Sequence, residues 1–228
     1  MIGVIDFYER PPDNYRDSFY AGLICRAPIP FYLDEQPHRI QLDYFDPGKP
    51  GNSNYKFERT DFSDFDPSND PPLRHSGLER DDFLLSVGYK LRHCIILSDP
   101  LSSNPIPAPG TQGFLVAPMY SIYDQSGNYR TYINREMVLR AQAYQLNNVF
   151  YLPKSDKFDI QESFARIDRI EFVRIEHLFP KPIKLTEKAT DLLRQWSWFY
   201  QGMPIVDPSL EEYIKRTKEE LDKRLGGN

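Results

Sequence analysis

Four residues at the ends of short apolar runs, or inside them, have the types needed for chemistry on a phosphodiester. Arg92 opens the run Arg92, His93, Cys94, Ile95, Ile96, Leu97, Ser98, and Ser121 closes the run 114–121. Arg166 and Asp168 stand two apart inside the run 164–173. Strand residues two apart project from one face, so this pair is expected side by side. Two guanidinium groups, a carboxylate and a hydroxyl, brought together by three strands, would suit such chemistry: positive charge for a developing phosphorane, an acceptor for a proton, and a hydrogen-bond donor. His93 adds an imidazole that titrates near neutrality. Tyr120 and Tyr123, with Tyr129 and Tyr132, are candidates for stacking on bases, as aromatic residues of single-strand binders do. Each also has a plainer reading. Arg92 is then a solvated arginine at a strand start, Arg166 and Asp168 an ordinary ion pair, and Ser121 a turn residue. His93 becomes a hydrogen-bonded structural histidine, and the tyrosines become loop and core residues.

The elements that must position these residues are mostly short strands. The run 92–98 and the run 114–121 are rich in β-branched residues and bounded by polar, Pro or Gly signals, the pattern of buried strands. The segment 20–33 starts as a strand, and Pro28 and Pro30 confine its later half to an edge or bulge. Alternation over 38–45 predicts a half-buried strand, 55–57 a short one, 149–152 another, and 164–175 the longest. Asn134 is placed to cap a helix over 135–146, although part of that segment also fits a strand. Thr186 is placed to cap a helix whose apolar face is Ala189, Leu192, Leu193, Trp196, Phe199 and Tyr200, ending at Gly202. Asp207 and Pro208 signal a last helix with the stripe Leu210, Ile214, Leu221 and Leu225, which Gly226 ends.

Between the early strands, residues 46–80 are dominated by Pro, Gly, Asn, Ser and Asp. Asp64, Asp66, Ser68 and Asp70 have the oxygen spacing that begins a calcium loop. Asn69 stands where the turn glycine belongs, however, and His75 where the bidentate glutamate belongs, so a solvated acidic loop is the reading. No Gly-rich phosphate loop, nucleophile elbow, zincin helix or dinucleotide fingerprint occurs, and neither a metal nor an organic cofactor is expected.

The 228 residues suffice for a sizeable core, and 40% hydrophobic content argues against wholesale disorder. A net charge of −5 gives no global basic footprint, so any nucleic-acid contact must come from a local cluster of Arg and Lys. Cys25 and Cys94 lie in separate strand-like runs without a nearby Cys/His cluster, which favours buried free thiols over a disulfide or zinc site. No apolar window approaches the length of a membrane span, and residues 1–6 lack a basic segment followed by an apolar core. The expectation is a cytoplasmic protein without a membrane partner.

Five segments in order resemble the MazF/PemK/Kid family of toxin endoribonucleases. Gly22 to Ala27 looks like the family's opening G-[DE]-[IV]-[VWY] strand, and Arg92 to Ser98 like R-P-[VA]-[VI]-[VI]-[IL]-[ST]. Leu115 to Ser121 looks like V-V-[AP]-P-[IL]-T-S, Gln161 to Ile170 like the segment around R-x-D-Q-[IP]-R, and Pro182 to Thr186 like the I-G-x-L-[ST] lead into a helix. Departures are His93 for proline, Tyr120 where the threonine of the T-S pair belongs, a large insertion and an added terminal helix. The resemblance implies a fold that is mainly β with α, a small SH3-like β-barrel with C-terminal helices. Residues 1–19 would be an arm, 20–205 the barrel with an insertion at about 34–87, and 206–228 the last helix. It further implies metal-independent cleavage of single-stranded RNA by 2′-hydroxyl attack, an antitoxin protein as partner, and a homodimer. In that scheme Arg92 contacts the scissile phosphate, Asp168 is the base, Arg166 the acid or a phosphate ligand, and Ser121 a donor to the phosphate. His93, Tyr120 and Tyr123 would bind substrate. Two rivals are a catalytically inactive protein- or RNA-binding module on the same barrel, and a gyrase-targeting toxin.

Overall fold

Strand β7 (Gln112–Ser121) is paired along both edges, and this organises the fold. Its sequence alternates strictly enough to serve two packed faces: Phe114 and Val116 enter one apolar cluster, Ala117 and Met119 another. A computed structural model describes residues 6–31, 38–44, 54–59, 88–102 and 111–225. The acidic stretch 46–80, apart from its short strand, lies outside the described residues, as do the calcium-like spacing within it and Gly226.

The chain divides into two units, residues 1–29 with 91–228, and residues 30–90. The second unit contains an antiparallel pair, β3 (His38–Tyr44) and β4 (Asn54–Arg59), with His38 opposite Arg59 and Leu42 opposite Tyr55. Both strands fall where alternation in the sequence predicts them.

In the first unit the sheet runs β1 (Tyr8–Glu9), β11 (Phe179–Leu185), β2 (Leu23–Phe31), β5 (Gly88–Ile96), β7, β9 (Ser163–Arg166), β8 (Val149–Leu152). Strands β6 (Leu101–Ser102) and β10 (Glu171–Arg174) also pair with β7. All recorded pairings are antiparallel, and the sheet curls into a half-barrel. With three helices, α1 (Arg135–Gln142), α2 (Glu187–Tyr200) and α3 (Pro208–Leu225), the described residues form a mainly β fold with α.

Strand β2 runs through Pro28 and Pro30 to Phe31, its later half being the part that the prolines confine to an edge or bulge in the sequence reading. Two expectations change in detail. The helix expected over 135–146 ends at Gln142. The strand expected over 164–175 is two strands, β9 and β10, separated by a 3-10 turn at Ile167–Arg169. Both halves lie along the same edge of β7, β9 against 119–121 and β10 against 113–116. The turn lets the edge bend while Ile167 stays buried, which uninterrupted alternation in the sequence does not reveal.

Strand alternation divides the side chains between two faces. One face (Ile24, Ile95, Ala117, Met119, Phe150, Leu152, Ala165) packs against Ala189, Leu192, Leu193 and Trp196 of α2 and Ile214 of α3. We call it the α2 face. The opposite face holds two separate clusters. One contains Leu23, Cys25, Cys94, Ile96, Phe114 and Val116. The other contains Ile122, Val149 and Phe164 beneath Val138 and Ala141 of α1. Residues 6–19 are tied to the sheet: β1 pairs with β11, and the Tyr8 hydroxyl donates to the Pro153 carbonyl at 2.9 Å. Cys25 and Cys94 are buried and free on neighbouring strands, the Cys94 thiol donating to the Cys25 carbonyl at 3.6 Å.

The helix caps fall where the sequence places them. Asn134 accepts from the Met137 amide at 2.8 Å, Thr186 from the Ala189 amide at 3.4 Å, and Asp207 from the Ser209 amide at 2.8 Å. The chain enters β2 through Gly22 at φ +89°, where an added Cβ would strike the Thr190 hydroxyl on α2. A Gly22→Ala variant is therefore expected to lose about 1–2 kcal/mol from backbone conformation alone, with the clash adding to it. Urea unfolding checks this, and Thr190→Ala in the same background is expected to return the clash part.

Candidate nucleic-acid interface

The antiparallel register that sets Cys94 opposite Pro118, continued by two residues, brings Arg92 opposite Tyr120. The contact follows from that register: the Arg92 guanidinium lies over the Tyr120 ring, 4.4 Å from its centroid. Tyr120 is in turn opposite Phe164 on β9, and Arg166, two residues on, projects from the same face. Its guanidinium stands 5.7 Å from the same ring. Along β7 and one residue past its end this face reads Phe114, Val116, Pro118, Tyr120, Ile122. The row Arg92–Tyr120–Arg166 thus lies between the two apolar clusters and is covered by neither.

Arg166 is held by Asp168, its Nε and Nη2 donating to the two carboxylate oxygens at 2.7 and 2.5 Å. This bidentate pair forms although Asp168 sits in the 3-10 turn and not in a strand. Burial by itself would raise the Asp168 carboxyl; hydrogen bonds and charge from Arg166 outweigh it and hold the group below the ordinary aspartate value. The same hydrogen bond raises Arg166, and the Tyr120 and Tyr200 hydroxyls add smaller contributions. A carboxylate so held is a weak proton acceptor, and a guanidinium so held does not release its proton. Arg92 is different. Its Nε is buried without a hydrogen-bond partner, and among the described residues it makes no ion pair. The row therefore carries two guanidinium charges against one carboxylate, which suits holding an anion more than moving a proton.

The other expected site residues lie elsewhere. Ser121 follows Tyr120 and so points to the α2 face, where its hydroxyl donates to the Tyr123 carbonyl at 2.9 Å. Tyr123 stacks on Tyr129 with centroids 5.1 Å apart. Its hydroxyl is pushed up to about 12 by desolvation and by hydrogen bonding to Tyr129 and Glu162. Glu162 also accepts from the Tyr151 hydroxyl at 2.5 Å, so this is a second polar group centred on a carboxylate. Tyr132 is 96% exposed and stands apart from that group.

His93 follows Arg92 and projects from the α2 face, beyond the part that α2 covers. Burial first, then the charges of Lys181 and Arg26, lower its pKa. A histidine depressed in the folded state costs stability as pH falls, because the unfolded chain binds the proton more readily. The unfolding midpoint is therefore expected to decline as pH drops from about 7 to 5, and His93→Gln to flatten that decline. Equal slopes in urea titrations of the two proteins would show that His93 does not contribute.

Arg26, Lys181, Glu162 and Tyr200 are not among the site residues of the sequence reading. Only strand alternation combined with a known register could have found the first two. Among the described residues no cluster of three or more His, Cys, Asp or Glu is placed to hold a metal ion. Among the described residues no helix is long and apolar enough to cross a membrane.

The chain matches no family model, no curated protein and no solved structure.

Proposed function

We propose that the protein binds single-stranded RNA, with Arg92 and Arg166 as phosphate ligands on either part of the Tyr120 ring, in a MazF/PemK-like barrel. The observation that carries this reading is the convergence of two guanidinium groups on one half-buried aromatic residue, one of them with an unpartnered Nε. Arginine presents several donors in a planar fork suited to phosphate oxygens, and Arg92, which makes no ion pair among the described residues, has those donors to give. RNA, as opposed to another polyanion, comes from the order of the five motif-like segments. An antitoxin partner and a homodimer belong to the same resemblance.

A second reading, metal-independent cleavage, is favoured by the position of Asp168. A phosphate that takes Arg166 would release the Asp168 carboxylate to accept the proton of the ribose 2′-hydroxyl. The 2′ oxygen then bonds to phosphorus, the P–O5′ bond breaks, and the leaving oxygen takes a proton from water, giving a 2′,3′-cyclic phosphate and a 5′-hydroxyl.

The test is incubation of the protein with a long single-stranded RNA in EDTA, beside binding measured by fluorescence anisotropy. Binding with intact RNA supports the module. Discrete products that vanish in Asp168→Asn while binding persists support cleavage, with a loss of about 10²- to 10⁴-fold in rate. Absence of binding in the wild type overturns both.

A further inference from the structure

Strands β11, β2 and β5 are consecutive in the sheet, and they bring two cations, Arg26 and Lys181, and the His93 imidazole together on the α2 face, beyond the reach of α2. Phe179 is directly opposite Arg26 and Pro180 opposite Cys25; the register shifts between Pro180 and Lys184, and Lys181, next after Pro180, lies near enough to His93 for its charge to act there together with that of Arg26. On the other side of β2, the bond from the Cys94 thiol to the Cys25 carbonyl sets His93 beside Arg26. Arg26 and Lys181 are half-buried, and among the described residues neither they nor His93 makes an ion pair. Elsewhere the pattern is different: Lys184 pairs with Glu9, Arg140 with Glu136 and Arg174 with Glu176. Among the described residues no ion pair offsets the charges of Arg26 and Lys181, which repel each other and disfavour a charged His93, and an anion relieves that repulsion. Next to them Phe179, sharing a face with Arg26, is 55% exposed, an aromatic surface beside a cationic one. That combination is what single-stranded nucleic acid uses: charge for the backbone and a ring for a base.

We propose that Arg26, Lys181 and Phe179 form a second nucleotide subsite, taking one RNA phosphate between the two cations and a base on the ring. It rests on the RNA reading above and extends it. Because Arg92 and His93 are neighbours on one strand, the two sites lie on opposite faces of the same strand ends. An RNA of a dozen nucleotides contacts both; a trinucleotide fills one.

The experiment is fluorescence anisotropy with a labelled RNA trimer and dodecamer over a range of salt, using the full chain. The Arg26→Gln/Lys181→Gln double variant is expected to bind the dodecamer at least about 10-fold more weakly, with the salt slope reduced by about 0.7 for one lost phosphate contact. Its trimer affinity at the Arg92 site is expected to stay unchanged, and its unfolding midpoint unchanged or raised. Phe179→Ser is expected to weaken the dodecamer by about 5-fold or more without altering the salt slope. An NMR titration gives an independent readout. A phosphate facing His93, whose charged neighbours are Arg26 and Lys181 and whose neighbour on β7 is Met119, is expected to raise the imidazole pKa in the complex. Unchanged dodecamer affinity and slope in the double variant would overturn the subsite while leaving the Arg92 site intact. Failure of the wild type to bind either RNA would overturn both.

Discussion

Arg92→Met is expected to weaken single-stranded RNA binding by roughly 10- to 100-fold, the effect of one charge-assisted hydrogen bond, without lowering the stability of the protein. The two halves of this expectation come from one observation. The Arg92 Nε is buried and unpartnered, so the folded protein bears the desolvation of a donor that nothing repays, about 1–3 kcal/mol. Methionine matches the apolar stem and can rest on Tyr120 without that donor. Stability is then expected to hold or rise by about 1 kcal/mol while affinity falls, the signature of a residue kept for a ligand. The slope of log K against log salt should fall by about 0.7 for one phosphate contact to a single strand. Arg92→Lys separates charge from shape: it should keep most of the slope and lose much of the affinity, since the planar fork and its stacking are gone. A destabilised Arg92→Met with unchanged affinity would identify Arg92 as a packing residue.

The largest effect on stability is expected at Trp196. It is among the largest fully buried side chains, its Nε1 donates to the Val149 carbonyl at 3.0 Å, and its ring meets Tyr144 edge-on at 5.2 Å and stacks on Phe199 at 5.1 Å. It therefore joins β8, the end of α1 and α2, in a cluster that also takes Ile214 of α3. Trp196→Ala should cost about 3–5 kcal/mol, a large part of the ~5–15 kcal/mol by which a domain is stable. Trp196→Phe keeps most of the ring but leaves the Val149 carbonyl unpaired, for about 1–3 kcal/mol. Urea unfolding distinguishes these, and a Trp196→Ala cost below about 1 kcal/mol would mean that α2 does not depend on this contact.

Much of the fold was readable because its signals are local. Asn134, Thr186 and Asp207 announce their helices through side chains that accept from backbone amides two or three residues on. The strand 149–152 appears with the bounds its apolar run suggests. What escaped depends on pairing. Nothing within 164–175 states that its two halves share one edge of β7 and so must bend between them. The neighbours of a strand residue are equally hidden. Arg92, Tyr120 and Arg166 meet because of a register, whereas Ser121 and His93, each one residue away from a member of that row, face the other way. The Arg166–Asp168 contact was expected from spacing and does occur, through a turn in place of the strand assumed.

The adjacency of Arg92 and His93 on β5 has a consequence for how this chain can vary. A one-residue insertion or deletion between Leu91 and Ile95 would exchange the faces of everything on one side of it, sending a guanidinium toward Arg26 and Lys181 and an imidazole toward Tyr120. Substitutions can tune either face alone, but a change in strand length changes both together. Descendants of this sequence should therefore accept varied residue types along β5 and resist any change in its count, with length differences displaced to the loops on either side.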